Sequence, residues 1–230
     1  MSSPIIIALD LDLHSALSLA KQLSPKDCQL KLGHQLFTSE GPNSVKRFQE
    51  LGFKIFLDLK YHDIPNTIFS AVSSALDLGI WMLNIHASGG SEMIKAAVSA
   101  REKSKKNNTI LLGVTVLTSL DNSSLERIGF KANTEETVKN LALLSKEGGL
   151  DGVVCSVGEI KGLRRVLGDN FILVTPGIRS DKGNMHDQKR VSSPKEAIME
   201  GADYIVMGRE IIRQDSPQKK LEEILEEISN

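Results

Sequence analysis

Lys54-Ile55-Phe56-Leu57-Asp58-Leu59-Lys60-Tyr61-His62-Asp63-Ile64-Pro65-Asn66-Thr67 is the stretch on which the reading of this chain turns. It begins as an apolar run of β-formers and then places Asp58, Lys60 and Asp63 within six residues. Side chains two apart on a strand share a face, so Asp58 and Lys60 point one way while Leu57 and Leu59 point the other. A strand with a carboxylate and an ammonium on one side is not simple core. Pro65 cannot sit in a central strand, and Asn66-Thr67 reads as a helix-capping sequence. The charges therefore fall where a strand ends and a helix is about to begin. Taken alone, such a cluster fits equally well a solvated rim holding a surface ion pair of little energetic value. The rest of the chain has to decide.

Outward from that stretch, short apolar and β-branched runs recur over 5–11, 28–33, 54–60, 82–87, 109–117, 152–157, 171–178 and 204–208. Segments of helical periodicity lie between them, among them 15–22, 45–51, 67–78, 91–104, 134–147, 195–200 and 218–228. Gly52, Gly79, Gly148 and Gly201 stand at or near the expected helix ends. Strands alternating with helices imply parallel strands joined by crossovers. Eight such units in 230 residues predict an α/β fold of the (β/α)8 TIM-barrel type, one domain spanning residues 1–230. A doubly wound open sheet is the runner-up, but no Gly-x-Gly-x-x-Gly turn follows the first strand. The segment 118–133 is long for a βα loop and is expected to carry a short helix of its own.

Composition removes several classes. The formal net charge is −1, with basic and acidic residues mixed throughout, so the basic patch of a nucleic-acid binder is missing. Cys28 and Cys155 lie far apart in apolar runs and make neither a disulfide framework nor a metal-ligand spacing, which favours a reducing cytoplasm. No signal peptide is read at the N-terminus, and no apolar run is long enough to span a bilayer. The expectation is a soluble cytoplasmic protein.

A barrel places functional side chains at the C-terminal ends of its strands. Those ends carry Asp10, Lys31, Asp58 with Lys60, His86, Thr118, Arg179 and Arg209. A solvated rim does not readily supply Lys31 and Asp58, which are embedded among apolar neighbours. Convergent charges in a concave site are seldom idle. The loops after strands seven and eight, Thr175-Pro176-Gly177-Ile178-Arg179 and Met207-Gly208-Arg209, occupy the usual phosphate position of this fold. Glycine lets backbone approach an anion, and an arginine fork grips it. A phosphorylated substrate is expected, with the polar loop 180–190 able to close over it through Gln188. For His86 barrel packing is favoured over catalysis; His62 supports the turn; Phe56, Trp81 and Met82 are core.

With these residues assembled, the chain resembles the orotidine 5′-phosphate decarboxylases. The likeness runs through Ala8-Leu9-Asp10, Lys31-Leu32-Gly33, Asp58 to Thr67, Val116-Leu117-Thr118-Ser119, Thr175 to Arg179, Asp187-Gln188-Lys189-Arg190 and Gly208-Arg209. The resemblance implies a decarboxylase without cofactor or metal, active as a homodimer on a nucleotide, with no nucleic-acid or membrane partner. It implies an alternating network of Lys31, Asp58, Lys60 and Asp63, with Lys60 as proton donor. It also implies that Asp63 and Thr67 enter the partner subunit's site. Asp10 and Lys31 are then ribose contacts, Thr118 a pyrimidine-side contact, and Arg179, Gln188, Gly208 and Arg209 the phosphate grip. Three positions depart from the family's pattern: Ser180 and Glu210 where proline is common, and His186 where glycine is. None removes a chemical group.

Two rivals carry different chemistry. A magnesium-dependent sugar-phosphate decarboxylase or aldolase on a related barrel would use the carboxylates partly as metal ligands. A catalytically inactive phosphate-binding barrel would be expected to have lost one of the four charged residues, and all four are present.

Overall fold

Ile5-Ile6-Ile7-Ala8 is buried at every position, which a strand achieves only when both of its faces are covered. Ile5 and Ile7 pack outward among the helices, whereas Ile6 and Ala8 pack inward with Phe56, Met82, Leu112, Val174 and Val206. The same division runs around a closed barrel of eight strands paired in sequence order, each parallel to its neighbours. The expected (β/α)8 architecture is therefore the observed one. The computed structural model describes residues 3–105, 108–179 and 192–229.

The strands are β1 Ile5–Ala8, β2 Gln29–Leu32, β3 Ile55–Tyr61, β4 Met82–His86, β5 Ile110–Val114, β6 Gly152–Val154, β7 Ile172–Pro176 and β8 Tyr204–Met207. Around them lie α1 Leu13–Ala20, α2 His34–Glu40, α3 Pro42–Glu50, α4 Pro65–Asp77, α5 Ser91–Lys103, α6 Asn122–Arg127 and α7 Thr134–Glu147. The outer ring continues with α8 Val157–Leu167, α9 Pro194–Glu200, α10 Arg209–Ile212 and α11 Pro217–Ser229. The short helix expected within 118–133 is α6, capped by Asp121, whose carboxylate accepts from the Ser124 N–H. None of the described helices is long and apolar enough to cross a membrane.

Two local readings are corrected. Helix α4 does not begin at an Asn66-Thr67 cap: Ile64 is the N-cap and Pro65 the first helical residue. Proline is suited to that place because its missing N–H would have had no partner there. Helices α2, α8 and α10 are not among the segments named from periodicity; α2 and α10 are short, and α8, which buries Ile160, Leu163 and Leu167, is the crossover that eight strand–helix units call for between β6 and β7.

Phe56 and Met82 join the inward cluster as expected, with Trp81 against it, edge-on to Tyr204 at 5.2 Å. Packing between β6 and β7 leaves no room for a side chain at Gly152, where an added Cβ would lie 2.2 Å from the Ile172 carbonyl oxygen. Backbone cannot yield there without opening the ladder. Gly152→Ala should cost about 1–3 kcal/mol of stability, the usual range for overpacking, read as a lower denaturant midpoint; an unchanged midpoint would show that the barrel relaxes at this point.

Candidate active site

Strand β3 carries the chemistry because its inward face changes character along its length. Phe56 sits in the apolar interior, and two residues on Asp58 occupies the next inward position, 7% exposed. Lys31 reaches the same layer from β2, 9% exposed. Its Nζ stands 3.0 Å from Asp58 Oδ2 and 3.7 Å from Asp10 Oδ1. On the other side Lys60 Nζ donates to Asp58 Oδ1 at 2.6 Å. One buried carboxylate thus lies between two ammonium groups. Burial by itself would raise the Asp58 pKa, but the charges of Lys31 and then Lys60, with hydrogen bonds from Lys60 and Asn84, outweigh it and bring it down to about 2.

Lys60 is held in an unusual backbone. Its φ is 48°, the left-handed region, and it is the non-glycine residue so placed among those described. This conformation costs a non-glycine residue roughly 1–2 kcal/mol. Registration between β3 and β4 changes at the same point, with Leu57 opposite Leu83 but Tyr61 opposite Ile85. Asp58, Leu59 and Lys60 therefore stand opposite Asn84 alone. Asn84 drew no attention in the sequence, although a lone amide inside an apolar run was the available signal. Its Oδ1 accepts from the Lys60 N–H at 2.8 Å and its Nδ2 donates to Asp58 Oδ1 at 2.7 Å.

The array opens into a cavity of about 220 Å³ that Asp10, Lys31 and Asp58 line on one side and Arg179, Gly208 and Arg209 on the other. Carboxylate, ammonium and guanidinium groups from β1, β2, β3, β7 and β8 thus meet around one space, as their strand-end positions required. A second cavity of about 60 Å³ shares Pro176 and Gly177 with the first and takes in Thr118. Gly177 has φ 82°, a turn that favours glycine and lets the chain pass between the two spaces. Ser156 lines this second cavity, and its buried Oγ has no hydrogen-bond partner among the described residues. Its position, a lone hydroxyl inside the apolar run 152–157, was the signal for it. A buried hydroxyl without a partner beside a cavity is one that a ligand can satisfy.

Asp63 stands apart from this array. Its carboxylate is exposed, accepts from the Ile64 N–H at 2.7 Å and makes no ion pair among the described residues. Thr67, in the first turn of α4, is exposed as well. Within one chain the network is therefore Asp10–Lys31–Asp58–Lys60. His86 closes β4, its ring centroid 5.3 Å from that of His62, and burial with the nearby His62 and Lys60 charges lowers its pKa. Gln188 and the loop 180–190 lie outside the described residues. Both thiols are buried, and burial pushes Cys28 and Cys155 up to about 12, so neither is a nucleophile at neutral pH. Among the described residues no three His, Cys, Asp or Glu side chains are grouped to hold a metal ion.

Fold and site together define a (β/α)8-barrel protein with a charged small-molecule site at the C-terminal mouth. Residues 3–224 match the model of the "Orotidine 5'-phosphate decarboxylase / HUMPS family", and the chain belongs to that family. It is 51% identical over 229 residues to an orotidine 5′-phosphate decarboxylase of Nitrosococcus oceani, covering 99% of this chain and 98% of that protein. It is 49% identical over 216 residues to that of Marinomonas sp., covering 94% and 92%. The crystal structure of orotidine 5′-phosphate decarboxylase from Lactobacillus acidophilus superposes with a TM-score of 0.88 at 36% identity, covering the whole of both chains.

Because the Asp58 pKa is depressed from 3.8 to about 2, its charge stabilises the fold above the higher value and that stabilisation is lost as pH falls through the lower. The difference corresponds to roughly 2 kcal/mol. Acid titration of stability should therefore show a component between those two values that Asp58→Asn removes; identical acid limbs in parent and variant would contradict the ion-pair geometry.

Proposed function

We propose that the protein decarboxylates orotidine 5′-phosphate to uridine 5′-phosphate and carbon dioxide, in pyrimidine biosynthesis. The observation that carries this is the Lys31–Asp58–Lys60 array, whose Lys31 and Asp58 line the same cavity as Arg179 and Arg209. Family membership and near-full-length likeness to proteins named for that reaction support it.

In this reaction the bond from C6 to the carboxylate breaks and its electron pair stays at C6. The ring offers no position that delocalises that pair well. A cation beside the developing anion and a proton to replace carbon dioxide are what a protein can supply. Lys60 fits both needs: its Nζ lies 2.6 Å from Asp58 Oδ1, which sets a cation and a proton donor beside the array. Its Nζ delivers the proton to C6 and is reprotonated from solvent.

Asp58 faces the substrate carboxylate in this pose. Two unit charges about 4 Å apart repel by roughly 4 kcal/mol at an effective dielectric near 20, and relief of that in the transition state corresponds to about three powers of ten in rate. Binding elsewhere must offset the repulsion. Arg179, Gln188, Gly208 and Arg209 serve that purpose at the phosphate, Asp10 and Lys31 at the ribose, and Thr118 and Ser156 at the pyrimidine. Both oxygens of Asp58 are engaged by ammonium groups, so a metal there would have to displace a lysine.

The working form is a cytoplasmic homodimer, with Asp63 and Thr67 completing the partner subunit's network. Exposure of Asp63, together with the apolar Ile64 (67%) and Leu117 (38%) on loops leaving β3 and β5, supports a face that another subunit covers. Sedimentation equilibrium should give twice the chain mass; a fully active monomer would remove the partner's contribution. Purified protein mixed with orotidine 5′-phosphate and a chelator should bleach the orotate ultraviolet band, whereas dependence on added magnesium would favour the metal-assisted rival. Lys60→Ala should abolish turnover while uridine 5′-phosphate still binds, and retained turnover would refute the role of Lys60.

A further inference from the structure

Strand β4 contributes one side chain to the charged array from below, and that side chain reaches two groups at once. Asn84 lies at the centre of the strand, 1% exposed, with Leu83 and Ile85 directed outward among the helices. An amide this deep is costly unless both of its ends are bonded. Both are bonded here, and to the residues proposed to carry the reaction. Asn84 Oδ1 accepts the Lys60 backbone N–H at 2.8 Å, and Asn84 Nδ2 donates to Asp58 Oδ1 at 2.7 Å. That same oxygen receives Lys60 Nζ at 2.6 Å. The contacts form a closed circuit: amide to carboxylate, carboxylate to ammonium, and the ammonium's own backbone back to the amide.

The register explains why a side chain is needed. Three residues of β3 stand opposite one of β4, so the main chain of β4 cannot continue the ladder through the bulge. The single residue opposite is Asn84, and its side-chain carbonyl takes the N–H that the ladder leaves over. That N–H belongs to Lys60, whose φ of 48° persists only if its surroundings hold it.

We infer that Asn84 is a positioning residue for decarboxylation, acting through Lys60 and Asp58 by clamping the left-handed backbone of one and the inner carboxylate oxygen of the other. This rests on the proposed roles of Lys60 and Asp58. Asn84 itself lines neither cavity. Its loss leaves the phosphate grip intact and lets the Lys60 ammonium drift from the place where C6 acquires its charge.

Two variants test this in the orotidine 5′-phosphate assay. Asn84→Ala removes both bonds. It should lower kcat roughly 10²-fold, as expected for a displacement of about 1 Å, with KM within about threefold of the parent. Asn84→Asp separates the bonds by pH. As the neutral acid it can donate to Asp58 and accept from Lys60, like the amide. Ionised, it cannot donate and sets a second negative charge against Asp58, so burial and like charge raise its pKa. The groups facing Asp58 are Lys31 from β2, with Asp10 beyond it, Lys60 from β3, and His86 at the end of β4 with His62 against it. All are common to parent and variant, so the ratio of their kcat values isolates the substituted side chain. That ratio should fall as pH rises from about 5 to about 8, a range that spans a raised carboxylic pKa.

A ratio independent of pH, or an Asn84→Ala enzyme with parental kcat or an equal loss in kcat and ligand affinity, overturns the inference. Should Asn84→Ala fail to fold, the pH dependence of Asn84→Asp decides alone. Lys60→Ala in the same assay keeps the two readings distinct. Turnover retained there defeats the assignment of the chemistry, whereas an inactive Lys60→Ala beside a fully active Asn84→Ala defeats only the role of Asn84.

Discussion

The rest of the site depends on one carboxylate held inside a barrel by two ammonium groups. Asp58 is buried, and an isolated charge there would be expelled or neutralised. Lys31 and Lys60 prevent that, one against each oxygen, and in turn cannot leave without stranding it. Such an arrangement is poor evidence for stability, since replacing a buried ion pair with apolar groups is often neutral or favourable. It is good evidence for use. Lys31, Asp58 and Lys60 together carry one net positive charge, which Asp10 formally cancels, and Lys31 and Asp58 face a space lined on its other side by Arg179 and Arg209, with Glu210 beside them.

What keeps this charge in place is the barrel wall, and the wall departs from regularity only beside the charge. Seven of the eight strand pairs run in steady register, and the slip falls between β3 and β4. There Lys60 adopts its left-handed backbone. Local strain of about 1–3 kcal/mol survives when surrounding structure over-determines it. Apolar packing on both sides of β3 provides that, with Leu57 and Leu59 outward and Phe56 inward. The strain falls on the residue whose ammonium meets Asp58.

Much of this was legible in the chain. Alternating apolar runs and helical segments implied the barrel, because strands buried on both faces read as continuous hydrophobic runs. The strand-end rule then picked out Asp10, Lys31, Asp58, Lys60, His86, Thr118, Arg179 and Arg209; Asp10, Lys31, Asp58, Arg179 and Arg209 line one cavity, Lys60 joins them through Asp58, Thr118 lines the second cavity, and His86 lines neither. Asn84 and Ser156 were missed for a shared reason. Each sits within or directly after an apolar run, and period-two reasoning gives side chains a face without saying what lies opposite. The role of Asn84 depends on a register slip that propensity cannot reveal. Asp63 is a different case: the family resemblance gave it to the partner subunit's site, and α4, beginning at Pro65, leaves its carboxylate exposed and outside the network of its own chain.

Under the proposed reaction, the two ends of the cavity divide the work. A phosphate held by arginines does not change as carbon dioxide leaves, so its interactions are the same in ground and transition states and cannot by themselves lower the barrier. They can hold the substrate carboxylate where Asp58 opposes it. The gain then arises at the other end, where repulsion disappears as the carboxylate departs and attraction to Lys60 grows as charge collects on C6. Neither end suffices. A site with only the cationic grip would bind the nucleotide and stop, and one with only the charged array would have nothing to hold the substrate carboxylate against Asp58. Joining β7 and β8 to β2 and β3 across one closed barrel is what lets a single rigid wall supply both.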